Sequence, residues 1–381
     1  MSLANRVGVI GVAILPRVSS ERQSLEELLY DVTQQALRDA GLTIEDIDGI
    51  VVASNDQYDG RAISVMAASG SVGGVDRDIL STPSAGEHAF VMGTLRVASG
   101  QYETQLVLSW SPTEASSLAE VQRLAADPYF HRRLPLDELS SHALQANTML
   151  SGMPDAEASA IKVLEKNRRN GARAYPDLTD DVRLPARWPL HANMVAAPVT
   201  GAVAMVLASK ACIEKRAVKE VAWISGMGWA TEPSFLGDRD LAQAPAMEAA
   251  AQQAYADAGV TDPAGAFDVA EIADTTPYQE LLAYEGLGLA PRADWAARIA
   301  DGSFGPDGRL PVNLSGGALS LNPVYCTGMI RIGEIANQVL GRAGPHQRAG
   351  VRTGLAHAAS GFAMQYNTVV VLRRDNQGAA A

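Results

Sequence analysis

Residues Leu80–Gly93 read LSTPSAGEHAFVMG, the form of a buried strand turning into a helix. An acyl-transfer enzyme keeps its nucleophile at such a turn, because free amides at a helix N-terminus stabilise a thiolate and donate to a developing oxyanion. No cysteine stands there. The hydroxyls at hand are Thr82 and Ser84, and without a paired base Ser84 fits a helix cap better than a catalytic serine. Glu87 and His88 follow in the helix; one of them is expected to face a pocket, and helical spacing leaves open which. The two cysteines, Cys212 and Cys326, lie far apart without metal-ligand spacing, so neither a disulfide framework nor a metal site is written here.

The elements that must position these groups are strands and helices in alternation. RVGVIGVAI (Arg6–Ile14) is a short apolar run; LEELLYDVTQQALRDAG (Leu25–Gly41) carries apolar residues at helical spacing and closes on glycine. IDGIVVAS and TQLVLSW read as further buried strands, and KEVAWISGMG, AMEAAAQQAYADAG, FDVAEIAD and YQELLAYEGLG repeat the order in the second half. QALRDAGLTIEDIDGIVVAS and QAYADAGVTDPAGAFDVAEIAD share a helix ending in DAG before an acidic residue that opens an apolar strand. This self-similarity points to duplication. From about 112 to 198 the character shifts to charged helices, an inserted loop domain or a solvated helical flap.

Composition excludes several classes. With 381 residues and 47% hydrophobic content the chain supplies ample core. It holds 31 basic against 43 acidic residues, net −12, with no basic run able to track a phosphate backbone, so nucleic acid is not an expected partner. No leader-like start and no apolar run of about 18 residues occur, which gives the expectation of a cytoplasmic protein away from membranes.

Four stretches in this order carry a resemblance: TPSAGEHAF; DVAEIADTTPYQELLAYEGLGL; LPVNLSGGALSLNPVYCTGM; and TGLAHAASGFAM. Together they resemble the thiolase superfamily, most of all its sterol carrier protein x type. The resemblance implies an α/β thiolase fold: two similar strand-helix halves in a five-layered αβαβα core, here 1–215 and 216–381, with the loop domain in the first. It implies a CoA thioester as substrate, no bound cofactor, and a homodimer.

The same resemblance shows what is lost. The family's nucleophilic cysteine aligns with Pro83, its activating histidine with Asn322, and its His-Asp-Cys-Phe loop with Ala273-Asp274-Thr275-Thr276. Proline has no nucleophile, and an amide takes no proton at neutral pH. Thiolase-fold aldolases of steroid side-chain degradation depart this way; they cleave a β-hydroxyacyl-CoA by retro-aldol reaction and work with a small zinc-ribbon and OB-fold partner. That reaction needs a base for the hydroxyl proton and donors for the thioester oxygen. The expected catalytic residues are Tyr325, which stands where the family has glycine, His357, where relatives carry His-Asn or the second cysteine, and Asp274. Each has a plainer alternative: Tyr325 fills volume, His357 is hydrogen-bonded behind the pocket, Asp274 caps a helix, and Tyr278 packs in the core. Asn313, Ser315, Gly316 and Gly317 resemble the substrate loop, and Arg168, Arg169 and Arg173 the stretch near the CoA phosphates; Ser84, His88 and Asn322 complete the expected binding residues. Two rival readings follow, a non-catalytic subunit supporting a partner and an acyltransferase using Cys326.

Overall fold

The computed structural model describes residues 4–16, 23–83, 85–113, 115–178 and 186–374. The first half runs β1 (Val7–Pro16), α1 (Leu25–Ala40), β2 (Gly49–Ser54), α2 (Ser64–Ala68), β3 (Asp78–Pro83), α3 (Gly86–Ala98) and β4 (Thr104–Ser111). Helices α4 (Leu118–Ala125), α5 (Glu138–Gly152) and α6 (Ala156–Ala174) come next, then β5 (Gly201–Ser209) and α7 (Lys210–Lys215). The second half holds β6 (Ala222–Thr231), α8 (Pro245–Ala258), α9 (Pro263–Ala266), β7 (Val269–Glu271), α10 (Pro277–Gly286), α11 (Trp295–Ala300), α12 (Thr327–Leu340), β8 (Thr353–Ser360) and β9 (Tyr366–Arg373).

Local signals set the helix ends. Ser24 caps α1 in a reciprocal box with Glu27, and Gly41, at φ +67°, closes it in the left-handed conformation that glycine adopts without a Cβ clash. Gly259, at φ +65°, closes α8 the same way, so both DAG sequences are helix ends. Close helix-strand contact repeats as well: a Cβ on Gly11 of β1 would lie 2.4 Å from Ala36 O in α1, and one on Gly226 of β6 would lie 1.9 Å from Ala254 O in α8.

The strands form one sheet in the order β3-β2-β4-β5-β1-β6-β9-β8-β7. Outward from the β1–β6 seam, the first half reads β1, β5, β4, β2, β3 and the second β6, β9, β8, β7; a parallel bridge from Ala270 to Val312 occupies the last place. The seam itself is only Gly8–Trp223 and Val9–Ala222, so the two halves fold toward each other about it. Three apolar clusters follow. One lies between α1 and the first half, with Leu29, Val32 and Leu106; one lies between α8, α10 and the second half, with Met247, Leu281 and Leu355. The central one joins Val9 and Val107 to Val370 and Leu372 through Phe90 of α3 and Ile330 of α12. Helix, sheet, helix, sheet, helix is the expected five-layered core of two similar halves.

Buried polar groups lock α12 to the second half. Arg331 Nη1 donates to Glu271 Oε2 of β7 and to Ser315 Oγ, both at 2.7 Å, and both ionic side chains are fully buried. Ser315 in turn gives its amide and hydroxyl to Glu271, at 2.9 and 2.6 Å. Removing one charge from a buried pair strands the other. Arg331→Met is therefore expected to cost about 3–5 kcal/mol of stability, read as a drop in the urea midpoint; a loss under about 1 kcal/mol would mean the pair does not hold α12 in place.

Candidate active site

A cleft of about 730 Å³ opens where the N-termini of the two central helices meet the α4–α5 region. Ala85 and His88 of α3, Asn322, Tyr325 and Thr327 before and in α12, Thr275 after β7, and the β8–β9 turn at Ser360–Phe362 form its inner wall. Gln122 of α4 and Glu138 and His142 of α5 face them.

Pro83 ends β3 and Ser84 lies outside the described residues. The choice between Glu87 and His88 resolves cleanly. His88 lines the cleft, its ring 5.8 Å edge-on from Tyr366. Glu87 is buried against α12, where a Cβ on Gly328 would lie 2.3 Å from its Oε2. The first amide of α3 is already used: Gly86 N donates to the Tyr325 carbonyl at 2.7 Å.

Of the three expected catalytic residues only Tyr325 reaches the cleft. Its ring meets Tyr58 edge-on at 5.3 Å, and its hydroxyl is held well above the usual phenol range, by burial first and then by the nearby Glu138, Tyr58 and Asp59. It therefore stays protonated and donates. His357 does not join it. Its side chain leaves β8 on the face of Leu355, away from Ala356 and Ala358, and is fully buried; its Nε2 lies 3.0 Å from Asn367 Oδ1. Burial brings the imidazole down to about 4, so it is neutral at physiological pH.

Asp274 also sits behind the wall. It is fully buried and accepts from Ala318 N at 2.5 Å and from Asn167 Nδ2 at 2.7 Å; burial, then the Glu280 charge, pushes it up to about 7. A Cβ on Gly317 would lie 2.0 Å from Asp274 Oδ2, so this glycine leaves room for the carboxyl. Tyr278 is buried in the core, and its hydroxyl, pushed up to about 12 by burial, does not line the cleft.

The Asn-Ser-Gly-Gly loop is part of the same support. Asn313 accepts from Ile272 N at 2.8 Å and donates to Glu280 at 2.7 Å, Ser315 binds Glu271, and Gly316 and Gly317 take φ of +90° and +67°. None of the four lines the cleft, contrary to a direct substrate-binding role there, because their polar groups are turned into the buried network. Arg168 donates to Asn193 O, Arg169 to Glu165 O and Arg173 to Pro345 O; these three also lie off the cleft lining. Asn322 does line it, with Nδ2 donating to Ala196 O at 3.0 Å and Oδ1 accepting from Thr327 Oγ1 at 2.9 Å.

Sequence reasoning missed Glu138. It opens α5, where Asp137 caps the helix by accepting from Ser140 N at 2.8 Å. The Glu138 side chain is 22% exposed, into the cleft; it accepts a hydrogen bond from Gln122 Nε2. Burial pushes its carboxyl up to about 7, against the lowering effect of the Gln122 bond and with a small addition from Asp137. Glu138 and His142 are four residues apart, which places both on one helix face. The spacing in DELSSH was the available signal; the helix direction was not.

Cys326 is sealed. It is fully buried at the N-cap of α12, Sγ 3.6 Å from the Gly201 carbonyl, and burial holds its thiol well above the usual range. Among the described residues no cluster of His, Cys, Asp or Glu has metal-binding geometry, and no helix is long and apolar enough to cross a membrane.

Known proteins share this architecture. Residues 229–374 match the family described as "Thiolase C-terminal domain-like". The acetyl-CoA acetyltransferase of Methanothermobacter thermautotrophicus is 23% identical over 375 residues, 93% of this chain and 96% of that protein. Human sterol carrier protein 2 is 31% identical over 163 residues, 41% of this chain and 29% of that protein. The 17-hydroxy-3-oxo-4-pregnene-20-carboxyl-CoA lyase of Mycobacterium tuberculosis is 26% identical over 396 residues, 94% of this chain and 97% of that protein. The solved structure titled "Ltp2-ChsH2(DUF35) aldolase" superposes with a TM-score of 0.80 at 22% identity, covering 98% of this chain and 99% of that one. The fold is the thiolase fold, and residues 229–374 match its C-terminal domain family. Part of the chain is similar to the sterol carrier protein relatives, and proline stands at 83 and asparagine at 322, where the sequence resemblance leads one to expect the nucleophile and its histidine.

A sealed thiol should resist alkylation. Iodoacetamide treatment of the native protein, followed by peptide mass spectrometry, is expected to leave Cys326 unmodified over hours; rapid labelling would return it to the list of nucleophiles.

Proposed function

We propose that the cleft catalyses retro-aldol cleavage of a β-hydroxyacyl-CoA thioester, with Glu138 as base and Tyr325 as donor, and without an acyl-enzyme. The observation that carries this is Glu138 itself, a carboxyl near pKa 7 in a cleft whose described lining holds an acid-base pair and no cysteine. A base poised near the working pH combines a large ionised fraction with strong proton affinity.

The steps balance as follows. Glu138 takes the β-hydroxyl proton; the Cα–Cβ bond breaks as the β-carbon becomes a carbonyl, and its electron pair passes to the thioester as an enolate. Tyr325 donates a hydrogen bond to the enolate oxygen, Cα then takes a proton from Tyr325 or from water, and the proton held by Glu138 passes back through solvent to restore both groups. The amide of Asn322 is fixed at the same wall by Ala196 and Thr327 and offers a further N–H. Every group required is an acid, a base or a donor. An acyltransferase would need a thiolate, and Cys326 is protonated and enclosed. The lyase and aldolase among the similar proteins support the reading, and the open 730 Å³ cleft favours an enzyme over a filled scaffold. The DUF35 partner in the aldolase's title supports a small partner subunit for this chain as well, beside the expected homodimer.

The test is turnover of a panel of β-hydroxyacyl-CoA thioesters, with products identified by mass spectrometry and the chain co-expressed with any partner. Glu138→Gln is expected to lower kcat by about a hundredfold or more and Tyr325→Phe by about tenfold, each with little change in KM. Because the ionised carboxylate is the active form, kcat/KM should rise with pH and level off above about 7. A Glu138→Gln variant within threefold of the parent would remove the base; a covalent acyl adduct would remove the mechanism.

A further inference from the structure

The base is not alone on its helix. His142 stands one turn beyond Glu138 on α5, its Nε2 3.8 Å from Glu138 Oε1. The ring is buried, and its Nδ1 meets Gln279 Nε2 of α10 at 3.0 Å. The same Gln279 nitrogen reaches Gln145 Oε1 at 3.2 Å. As the two amides are placed, Gln279 Nε2 donates both to Gln145 Oε1 and to His142 Nδ1, which makes that ring nitrogen an acceptor. A neutral imidazole carries one proton; with Nδ1 accepting, that proton is on Nε2, the nitrogen turned toward Glu138. Among the described residues Nε2 has no hydrogen-bond partner. The gap of 3.8 Å exceeds hydrogen-bond length, so the bond forms only when the Glu138 carboxylate shifts toward the ring.

We propose that Gln279 holds His142 in the Nε2–H tautomer and that His142 is thereby the positioning donor of Glu138, turning the carboxylate toward the substrate proton; the role in catalysis rests on Glu138 being the base. Burial brings His142 down to about 4, so the ring stays neutral while Glu138 titrates and the donor persists on both sides of that change. The other charged or titratable groups around Glu138 are fixed by their own contacts or lie across the cleft. Asp137 sits beside it, 3.6 Å from Arg187; Tyr325 faces it from the turn before α12; Asp127 and His131 come from the chain between α4 and α5. Gln122 bonds it in either protonation state. A donor to a carboxylate favours the ionised form, so losing His142's N–H should make Glu138 hold its proton more tightly.

The experiment uses the full chain labelled with 15N-histidine and 13C-glutamate, with signals assigned against His142→Phe and Glu138→Gln. The long-range 15N–1H pattern of His142 is expected to show Nε2–H throughout pH 6–8; an Nδ1–H pattern or an imidazolium overturns the proposal. In Gln279→Leu and His142→Phe the Glu138 carboxyl should bind its proton about tenfold more tightly, and His142→Gln, which keeps an N–H within similar reach, should restore most of the difference. An unmoved Glu138 titration in either folded variant also overturns it, and if one variant does not fold the other decides. The titration needs no substrate. A chain that shows the tautomer and the tenfold change yet cleaves no thioester refutes the retro-aldol reading alone, whereas a chain that cleaves thioester with an unmoved titration refutes the positioning role alone.

Discussion

The hydrogen bond from Gly86 N to the Tyr325 carbonyl, 2.7 Å long, ties together the starts of the two central helices, and the site depends on it. Ser109 Oγ of β4 donates to the same carbonyl at 3.1 Å, so a strand of the first half joins the contact. The approach is as close as packing allows: a Cβ on Gly86 would stand 2.8 Å from Met329 Cβ and 2.9 Å from Ser109 Cβ. With the carbonyl held inward, the Tyr325 ring is carried over the cleft. The amide that a helix N-terminus would otherwise offer to an oxyanion is at the same time consumed. One contact thus closes the place where a covalent acyl intermediate would be stabilised and presents the phenol that replaces it.

Burial then assigns the roles. Tyr325, Cys326 and Glu138 are all held above their ordinary values, yet the consequences differ because their starting points differ. A phenol or thiol raised in this way keeps its proton at any physiological pH; a carboxyl raised to about 7 shares its time between the two states. The same burial therefore keeps the phenol and the thiol protonated and, in the proposed mechanism, fits the carboxyl to act as the base. Desolvation is the largest cause for all three, and the different starting values separate them.

Much of the architecture was legible because its signals are local. The DAG endings became left-handed glycine caps at Gly41 and Gly259, and the apolar runs became the buried strands of two similar halves. The substitutions at Pro83 and Asn322 were legible as residue types. What could not be read was direction. His357 and Ala358 are neighbours on β8, and the strand's period of two sends the histidine to the outer cluster while Ala356 faces the centre. Asp274 looked like a free carboxylate in a loop; it is one member of a buried set in which Asn167 bridges it to Glu280, and Lys166 lies 2.8 Å from Glu280. Glu138 was invisible for a different reason. Nothing in its type separates it from the chain's other acids; only the folding of α5 against the α12 turn, nearly half the chain away, brings it to the cleft and raises its pKa.

That distance bears on how such a chain can change its chemistry while keeping its fold. The central helices and the two half-sheets share tightly packed glycines and buried charges, and Gly86, Gly317 and Arg331 have no room to vary. A new catalytic group introduced there would have to displace backbone or leave a buried charge without its partner. The first turn of α5 borders the cleft, while Ala143, Ala146 and Met149 farther along the helix pack into the second-half cluster, so a carboxylate at that first turn can be added with its own support, Gln122 on one side and His142 on the other. Acid-base chemistry suits that arrangement better than nucleophilic chemistry does. A covalent nucleophile must sit within bonding distance of the reacting carbon and its oxyanion donors, whereas a base needs only to reach one proton. The layered core can therefore remain a rigid wall carrying Tyr325 and Asn322, while the proposed base comes from the helix opposite.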